Sequence, residues 1–155
     1  MIKLKSILLE STTDTPEFKR WFGDSKVVDT KGNPLVVYHG TSGPEFTDFN
    51  IPSHFGSKDA SNDIINKRQQ FRVSLGNDRI IPVYLSIQNP KRIIDIGYGW
   101  KKELEQAKAE GYDGIVYKNK IEGVRTVGGK FNFSDSYIPI SSSQIKSAIS
   151  KDIKK

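Results

Sequence analysis

The chain has 155 residues, of which 35% are hydrophobic and 27% charged, which predicts one globular domain rather than a disordered chain. It has no cysteine and only two histidines, which excludes a disulfide framework, a thiolate metal site and a multi-histidine zinc site. The net charge of +6 favours an anionic partner, such as nucleic acid or a phosphate-bearing cofactor, or else a lysine-rich surface that serves solubility. No apolar run is long enough to span a membrane.

The first ten residues, MIKLKSILLE, combine lysines with a short apolar stretch and precede the polar sequence STTDTP. They resemble the capsid-targeting peptides of large tailed phages, which a prohead protease cuts after a Leu/Ile-x-Glu pattern. Leu8-Leu9-Glu10 fits that pattern. We therefore expect residues 1–10 to be a cleavable targeting segment and residues 11–155 to form the domain. The alternative is an amphipathic turn at the N-terminus.

Helix caps and apolar spacing predict three helices. The first begins at Thr15 with proline in its first turn and ends at Gly23, and Phe18, Trp21 and Phe22 form its apolar face. The second begins at the cap Ser57. Its predicted buried face holds Ala60, Ile64 and Phe71, and its predicted water-facing residues are Asn62, Lys67, Arg68 and Gln69. The third covers residues 100–110 and ends at Gly111.

Short β-branched and aromatic runs predict the strands, at residues 26–29, 35–39, 80–87, 92–96, 114–117 and 136–140. Pro82 predicts an edge or bulge position at the start of the strand that contains it. The sequence predicts a loop or loose hairpin at residues 120–134 and a short helix or turn at residues 141–150. Because helices interrupt the strands without regular alternation, we expect an α+β domain with a mainly antiparallel sheet.

Three polar motifs break the apolar pattern, at residues 38–41, 53–57 and 135–137. Each places a hydrogen-bonding side chain beside a glycine, an aromatic ring or both. A nucleotide site needs donors and acceptors for ribose, an aromatic face for a ring and a helix N-terminus for phosphate. Taken singly, His39 fits a structural role and a ligand role equally well, whereas Ser57 is better explained as a helix cap and Asp135 as a solvated acid at a strand end.

In one order along the chain, several segments together resemble the ADP-ribosyltransferase fold, particularly the small domains of phage polyvalent proteins. The segments are FKRWFGDSKVVDTKGNPLVVYHGT, HFGSKDAS, IIPVYLSIQNP, GYDGIVY and DSYIPISSSQIKSA. The resemblance covers most of residues 16–149. It implies a single domain with a split, mainly antiparallel sheet and a few short helices, and it implies NAD as the substrate.

The resemblance also implies roles for individual residues. His39 matches the histidine that holds the adenine-side ribose of NAD, and Gly40 matches the glycine whose backbone faces the nicotinamide amide. His54 falls where the family has a tyrosine that stacks on nicotinamide. The remaining residues that the resemblance places at the cofactor are Tyr38, Thr41, Phe55 and Ser57.

The family's catalytic glutamate falls at Ser136 in this chain. Serine can hydrogen-bond a ribose hydroxyl but supplies no negative charge, and losing such a charge typically costs on the order of 10²–10³ in rate. Asp135 has the charge, but strand alternation points it to the other face unless the chain bulges. We therefore count His39, His54, Asp135 and Ser136 as the catalytic candidates. Glu122 is a further source of charge.

These observations lead to three hypotheses. The first is a phage-encoded mono-ADP-ribosyltransferase that uses NAD to modify a host protein or nucleic acid, acting as a monomer in the cytoplasm of the infected cell and packaged in the virion head if the targeting segment is real. The second is an impaired relative that only binds NAD, another nucleotide or a partner. The third is a small metal-independent nuclease with His39 and His54 as acid and base.

Overall fold

A computed structural model describes residues 13–120, 124–125, 131–132 and 134–149 of the chain. The predicted targeting segment, residues 1–10, and Glu122 lie outside the described residues. Three helices of a turn or more lie in the described part: α1 (Pro16–Phe22), α2 (Lys58–Gln70) and α3 (Trp100–Ala109). A short 3-10 helix covers Ser142–Gln144.

The helix starts follow the predicted caps. The Thr15 side chain accepts a hydrogen bond from the Phe18 amide (3.1 Å), and the Ser57 side chain accepts one from the Ala60 amide (3.1 Å). Gly23 ends α1 with a φ of 52°, a left-handed value that glycine adopts readily. All three predicted helices are therefore confirmed, although the predicted buried face of α2 is wrong at Phe71, which is 69% exposed. Phe71 follows the helix as its C-cap residue instead of lying within it.

The first sheet has three strands in the order β1 (Val37–Thr41), β2 (Arg79–Leu85) and β8 (Ile145–Ser147), paired antiparallel throughout. Strand β8 replaces part of the predicted terminal helix or turn, so that prediction is wrong there. The prediction of an edge position for Pro82 is also wrong, because β2 is the central strand. Proline is tolerated because it lies just beyond the β8 pairing of Val83–Leu85, where only its carbonyl is used, as the acceptor for the Ala148 amide (3.0 Å).

The second sheet has the order β3 (Pro90–Ile93), β4 (Gly114–Lys118) and β7 (Asp135–Pro139). Helix α3 connects β3 to β4, so these two run parallel, while β4 and β7 are antiparallel. Strands β5 (Val124–Arg125) and β6 (Phe131–Asn132) pair antiparallel inside the predicted hairpin region. The predicted strand at residues 26–29 is reduced to one isolated bridge between Val28 and Pro34.

Residues Phe55 and Gly56 join the two sheets. Gly56 exchanges both main-chain hydrogen bonds with Tyr38 of β1 (2.8 and 2.9 Å). Phe55 exchanges both with Tyr137 of β7 (2.9 and 2.7 Å). One short segment therefore fixes β1 and β7 on either side of itself. Two small, mostly antiparallel sheets joined in this way form the predicted α+β domain with a split sheet.

The split produces two apolar clusters. The larger gathers around Phe55, Leu85 and Ile87, which are fully buried between the sheets. The smaller lies between α3 and the second sheet, where Trp100, Leu104 and Ala107 pack on Ile115 and Ile138. Phe55 belongs to the larger cluster and Ile51 packs against the smaller one, so the polar residues Ser53 and His54 lie in a segment that contacts both.

Candidate functional site

The antiparallel main-chain pairing between β1 and residues 54–56 consists of a single pair, Tyr38 with Gly56. In an antiparallel ladder, the next hydrogen-bonded pair after Tyr38 and Gly56 would be Gly40 and His54. Between these two described residues no main-chain hydrogen bond forms. The N–H and C=O of Gly40 point to this side of β1, because Tyr38, two residues earlier, points there too. This unmade step, called the gap below, leaves the main-chain N–H and C=O of the buried residue Gly40 without a partner among the described residues.

The side chain of His39 pairs with one of the groups that the unmade step leaves free, the carbonyl of His54. Its Nδ1 donates a hydrogen bond to the carbonyl oxygen of His54 (2.7 Å). A carbonyl can only accept, so the proton lies on Nδ1, and in the neutral ring Nε2 is an acceptor. Within the described residues, no side chain or main chain donates to Nε2. The neutral ring therefore presents an acceptor that a ligand hydroxyl can use.

The surroundings of His39 keep its ring neutral. The imidazole is half-buried and packs edge-on against Phe49, with ring centres 5.4 Å apart, and against Phe55 at 5.3 Å. Burial lowers the pKa of His39, the hydrogen bond to His54 raises it, and the positive charges of Arg68 and Arg79 lower it further. The net effect is a lowered pKa, so this histidine is an acceptor at neutral pH.

The imidazole of His54 lies on the other side of the joining segment, among aromatic rings. Its Nδ1 forms a hydrogen bond with the hydroxyl of Tyr117 (2.6 Å), and its ring meets Trp100 edge-on with centres 5.3 Å apart. Burial, followed by the charge of His39, lowers the pKa of His54 to about 4, against an opposing effect of Asp95. Neither histidine is protonated near neutrality, which argues against a nuclease that needs an imidazolium as its acid.

The other predicted cofactor residues divide between lining and support. Phe55 is fully buried in the core, and Ser57 caps α2 and accepts a second hydrogen bond from Ser134 (3.0 Å). Tyr38 and Thr41 are half-buried on either side of the His39-Gly40 pair. The structure therefore brings His39, Gly40 and His54 together, while Phe55 and Ser57 position them.

Gly40 is also required by packing. A Cβ atom at this position would lie 2.8 Å from the carbonyl oxygen of Ser61, in the first turn of α2. The Ser61 hydroxyl donates to the Tyr38 carbonyl (3.0 Å), which fixes the helix against β1. Glycine at position 40 therefore lets α2 pack closely on β1 at the residue that borders the gap.

Ser136 and Asp135 lie on opposite faces of β7. Ser136 is 3% exposed, accepts a hydrogen bond from the Asn119 amide and lies directly across from Tyr117 of β4. Because cross-strand partners share a face, Ser136 is on the face that carries Tyr117, the partner of His54. The carboxylate of Asp135 instead accepts one hydrogen bond from each terminal nitrogen of the Arg92 guanidinium (3.1 and 2.8 Å). The serine is therefore on the His54 side, and the carboxylate is not.

Several residues of this region escape sequence reasoning. Trp100 and Tyr117 read as core positions of a helix and a strand, and only their contact with His54 places them at the site. Asn119 has a detectable signal, since it is a polar residue directly after a buried strand, as in the three motifs at residues 38–41, 53–57 and 135–137. It is 1% exposed and supports Ser136.

One comparison with known families matches this region. Residues 29–105 match the family model described as ADP-Ribosyltransferase in polyvalent proteins. The chain therefore contains an ADP-ribosyltransferase-like domain. The match covers β1, the joining segment and α2, and it ends before Ser136. No curated protein and no solved structure matches the chain.

Two further findings bear on the ADP-ribosyltransferase-like domain. Among the residues that the structure describes, no helix is both long and apolar enough to cross a membrane. In the same part of the chain, no group of three or more His, Cys, Asp or Glu side chains could hold a metal ion.

Proposed function

We propose that this domain binds NAD as a substrate and transfers its ADP-ribose to an acceptor, with nicotinamide as the leaving group. The observation that carries the proposal is the unmade ladder step at Gly40. A carboxamide has one donor and one acceptor group, and it can pair with the free C=O and N–H of a strand residue. Nicotinamide bound there would take the place of the missing main-chain partner.

His39 is suited to the ribose of the same molecule. Its Nε2 accepts a hydrogen bond from a hydroxyl, and the bond from Nδ1 to His54 holds the ring in one orientation. In the reaction, the bond between the ribose C1′ and the nicotinamide nitrogen breaks, and its electron pair leaves with nicotinamide. A lone pair of the acceptor then attacks C1′, and the proton of that nucleophile passes to solvent. The domain contributes orientation and electrostatics.

The acceptor that we propose is a host protein or a nucleic acid. The net charge of +6 favours an acidic partner of either kind. We further propose that the protein is phage-encoded and acts in the cytoplasm of the infected bacterium, and that it is carried in the virion head if residues 1–10 direct packaging.

A second candidate function is NAD or nucleotide binding without transfer. Two points favour it: the sequence resemblance puts Ser136 where the family has its catalytic glutamate, and Asp135 lies on the opposite face of β7, paired with Arg92. A site without a carboxylate near the ribose would bind NAD and stabilise the cationic transition state less.

The test combines calorimetry with NAD and release of nicotinamide from labelled NAD, in the presence of host-cell lysate. The informative variant is His39→Asn, because its amide can still donate to the His54 carbonyl but lacks the acceptor at the Nε2 position. We expect NAD binding by the wild type and a loss of about tenfold or more for His39→Asn. Labelled protein or RNA supports transfer, and binding without nicotinamide release supports the second candidate. Equal NAD binding by both proteins would contradict a ligand role for His39.

A further inference from the structure

Arg68 lies on the stripe of α2 that faces β1. Ser61, Ile65 and Arg68 are spaced i, i+4 and i+7, so they share one side of the helix. Ser61 is fixed to β1 through the Tyr38 carbonyl, and a Cβ atom on Gly40 would lie 3.4 Å from Ile65 Cγ1. This stripe therefore runs along β1 beside the gap at Gly40, and Arg68 continues it by one turn.

Arg68 is a half-buried residue, and its guanidinium makes no hydrogen bond or ion pair with any described residue. In contrast, three arginines of the described part do have partners, namely Arg20, Arg79 and Arg92. A guanidinium carries five donors and is costly to desolvate without acceptors. The sequence pattern predicted that Arg68 faces water, so its position on the stripe that faces the sheet needs an explanation.

The charge of Arg68 acts on the site. It is one of the causes that lower the pKa of His39. The carboxylate of Asp78, whose pKa the charge of Arg68 also lowers, is already held by Gln69 and Ser74, each at 2.7 Å. The helix dipole does not explain Arg68 either. It favours a cation in the last turn, and Lys67, which pairs with Asp63, already supplies one there.

We propose that the guanidinium of Arg68 binds the pyrophosphate of the dinucleotide whose nicotinamide lies at Gly40, a proposal that rests on the NAD binding proposed above. Guanidinium binds phosphate oxygens through paired hydrogen bonds. Along β1, the amide-binding main chain of Gly40, the hydroxyl acceptor of His39 and the cation of Arg68 match the three parts of the ligand, namely a carboxamide, a ribose and a phosphate.

The test compares Arg68→Gln with the matched control Lys67→Gln, which removes the same charge from the same helix turn on another face. Binding of ADP and of adenosine is measured by calorimetry in both variants and in the wild type. We expect Arg68→Gln to weaken ADP binding by about tenfold or more and to leave adenosine binding unchanged. Lys67→Gln is expected to weaken ADP binding by less than about threefold. In an NMR titration, Arg68→Gln should raise the pKa of His39 and Lys67→Gln should not.

The outcomes separate this proposal from the proposed function. If ADP binding depends on Arg68 but the wild type releases no nicotinamide from NAD, the phosphate site stands and transfer fails. If the wild type turns over NAD and Arg68→Gln binds ADP as well as Lys67→Gln does, transfer stands and the phosphate site is overturned. The phosphate site is also overturned if the wild type does not bind ADP, or if Arg68→Gln weakens binding of single-stranded RNA but not of ADP.

Discussion

Gly40 and His54 face each other across a ladder step that is not made, although Tyr38 and Gly56 complete the step before it. The His54 carbonyl is taken by the His39 side chain, at 2.7 Å, instead of by the Gly40 amide. An antiparallel pair normally continues until a turn or a bulge ends it. Here a side chain ends it, and within the described part of the chain the main-chain donor and acceptor of Gly40 have no partner.

This relationship predicts which small molecules compete with NAD. Nicotinamide and benzamide both carry a carboxamide and should compete. Nicotinate carries only acceptor oxygens and should compete at least about tenfold less well, because its charge meets the Gly40 carbonyl. Inhibition constants for NAD binding check this at constant salt. Equal competition by nicotinamide and nicotinate would contradict amide recognition at Gly40.

The position of Asp135 predicts that its carboxylate is dispensable. Its side chain is 36% exposed and paired with Arg92, whose side chain is 59% exposed. An exposed pair of this kind contributes about 0.2–1 kcal/mol. Asp135→Asn should therefore lower the free energy of unfolding by no more than about 1 kcal/mol and leave NAD binding unchanged, as chemical denaturation and calorimetry would show. A large loss of binding with intact stability would place Asp135 in the site after all.

The sequence was sufficient for local elements and for the first motif of the site. Thr15 and Ser57 act as helix caps because capping is decided within one turn of chain. The strand predicted at residues 35–39 from β-branched and aromatic residues exists as β1 (Val37–Thr41), but it is shifted by two residues, so His39 lies in its middle and not at its end. Alternation along a strand correctly assigned Asp135 and Ser136 to opposite faces.

Long-range pairing was not predictable from the same patterns. Strand β8 has the sequence Ile-Lys-Ser, which carries little strand preference, and it forms because β2 offers a free edge. The contact of His54 with Tyr117 joins residues 63 positions apart, and no local signal links them. The unmade step at Gly40 is equally invisible, since it depends on which strands meet and where their register stops.

Packing between Gly56 and Ser136 predicts strong coupling between two substitutions. A Cβ atom on Gly56 would lie 2.5 Å from the Ser136 hydroxyl, so Gly56→Ala should cost about 1–3 kcal/mol of unfolding free energy. Ser136→Ala leaves the buried amide of Asn119 without its acceptor and should also cost about 1–3 kcal/mol. In the double variant the clash is gone, so the two costs should not add.

Chemical denaturation of the two single variants and the double variant measures this coupling. The control is Gly56→Ala combined with Asp135→Asn, whose costs should add because Asp135 lies on the other face of β7. Additive costs for Gly56→Ala and Ser136→Ala would contradict the contact that joins the two sheets at this point.

Burial of His54 predicts that the domain loses stability in mild acid. Its folded pKa of about 4 lies below the ordinary value of 6.5, so the unfolded chain takes up a proton first as the pH falls. The stabilisation from the neutral ring is complete above about pH 6.5 and disappears as the pH falls through that window to about 4. The loss is on the order of 3 kcal/mol. His54→Phe keeps an aromatic ring without a titrating group, so its free energy of unfolding should fall less between pH 7 and pH 4.5 than that of the wild type.

Chemical denaturation at both pH values is measured for three proteins: the wild type, His54→Phe and the exposed control Tyr98→Phe. Because all three share the carboxylates, a difference between them isolates the pH dependence that comes from His54. Tyr98 is 86% exposed, so its variant should follow the wild type. His39 contributes in the same direction, because its pKa is also lowered by burial, and His54→Phe should therefore retain part of the pH dependence. If His54→Phe and the wild type lose stability equally, the ring of His54 is not held neutral by burial against Trp100 and Tyr117.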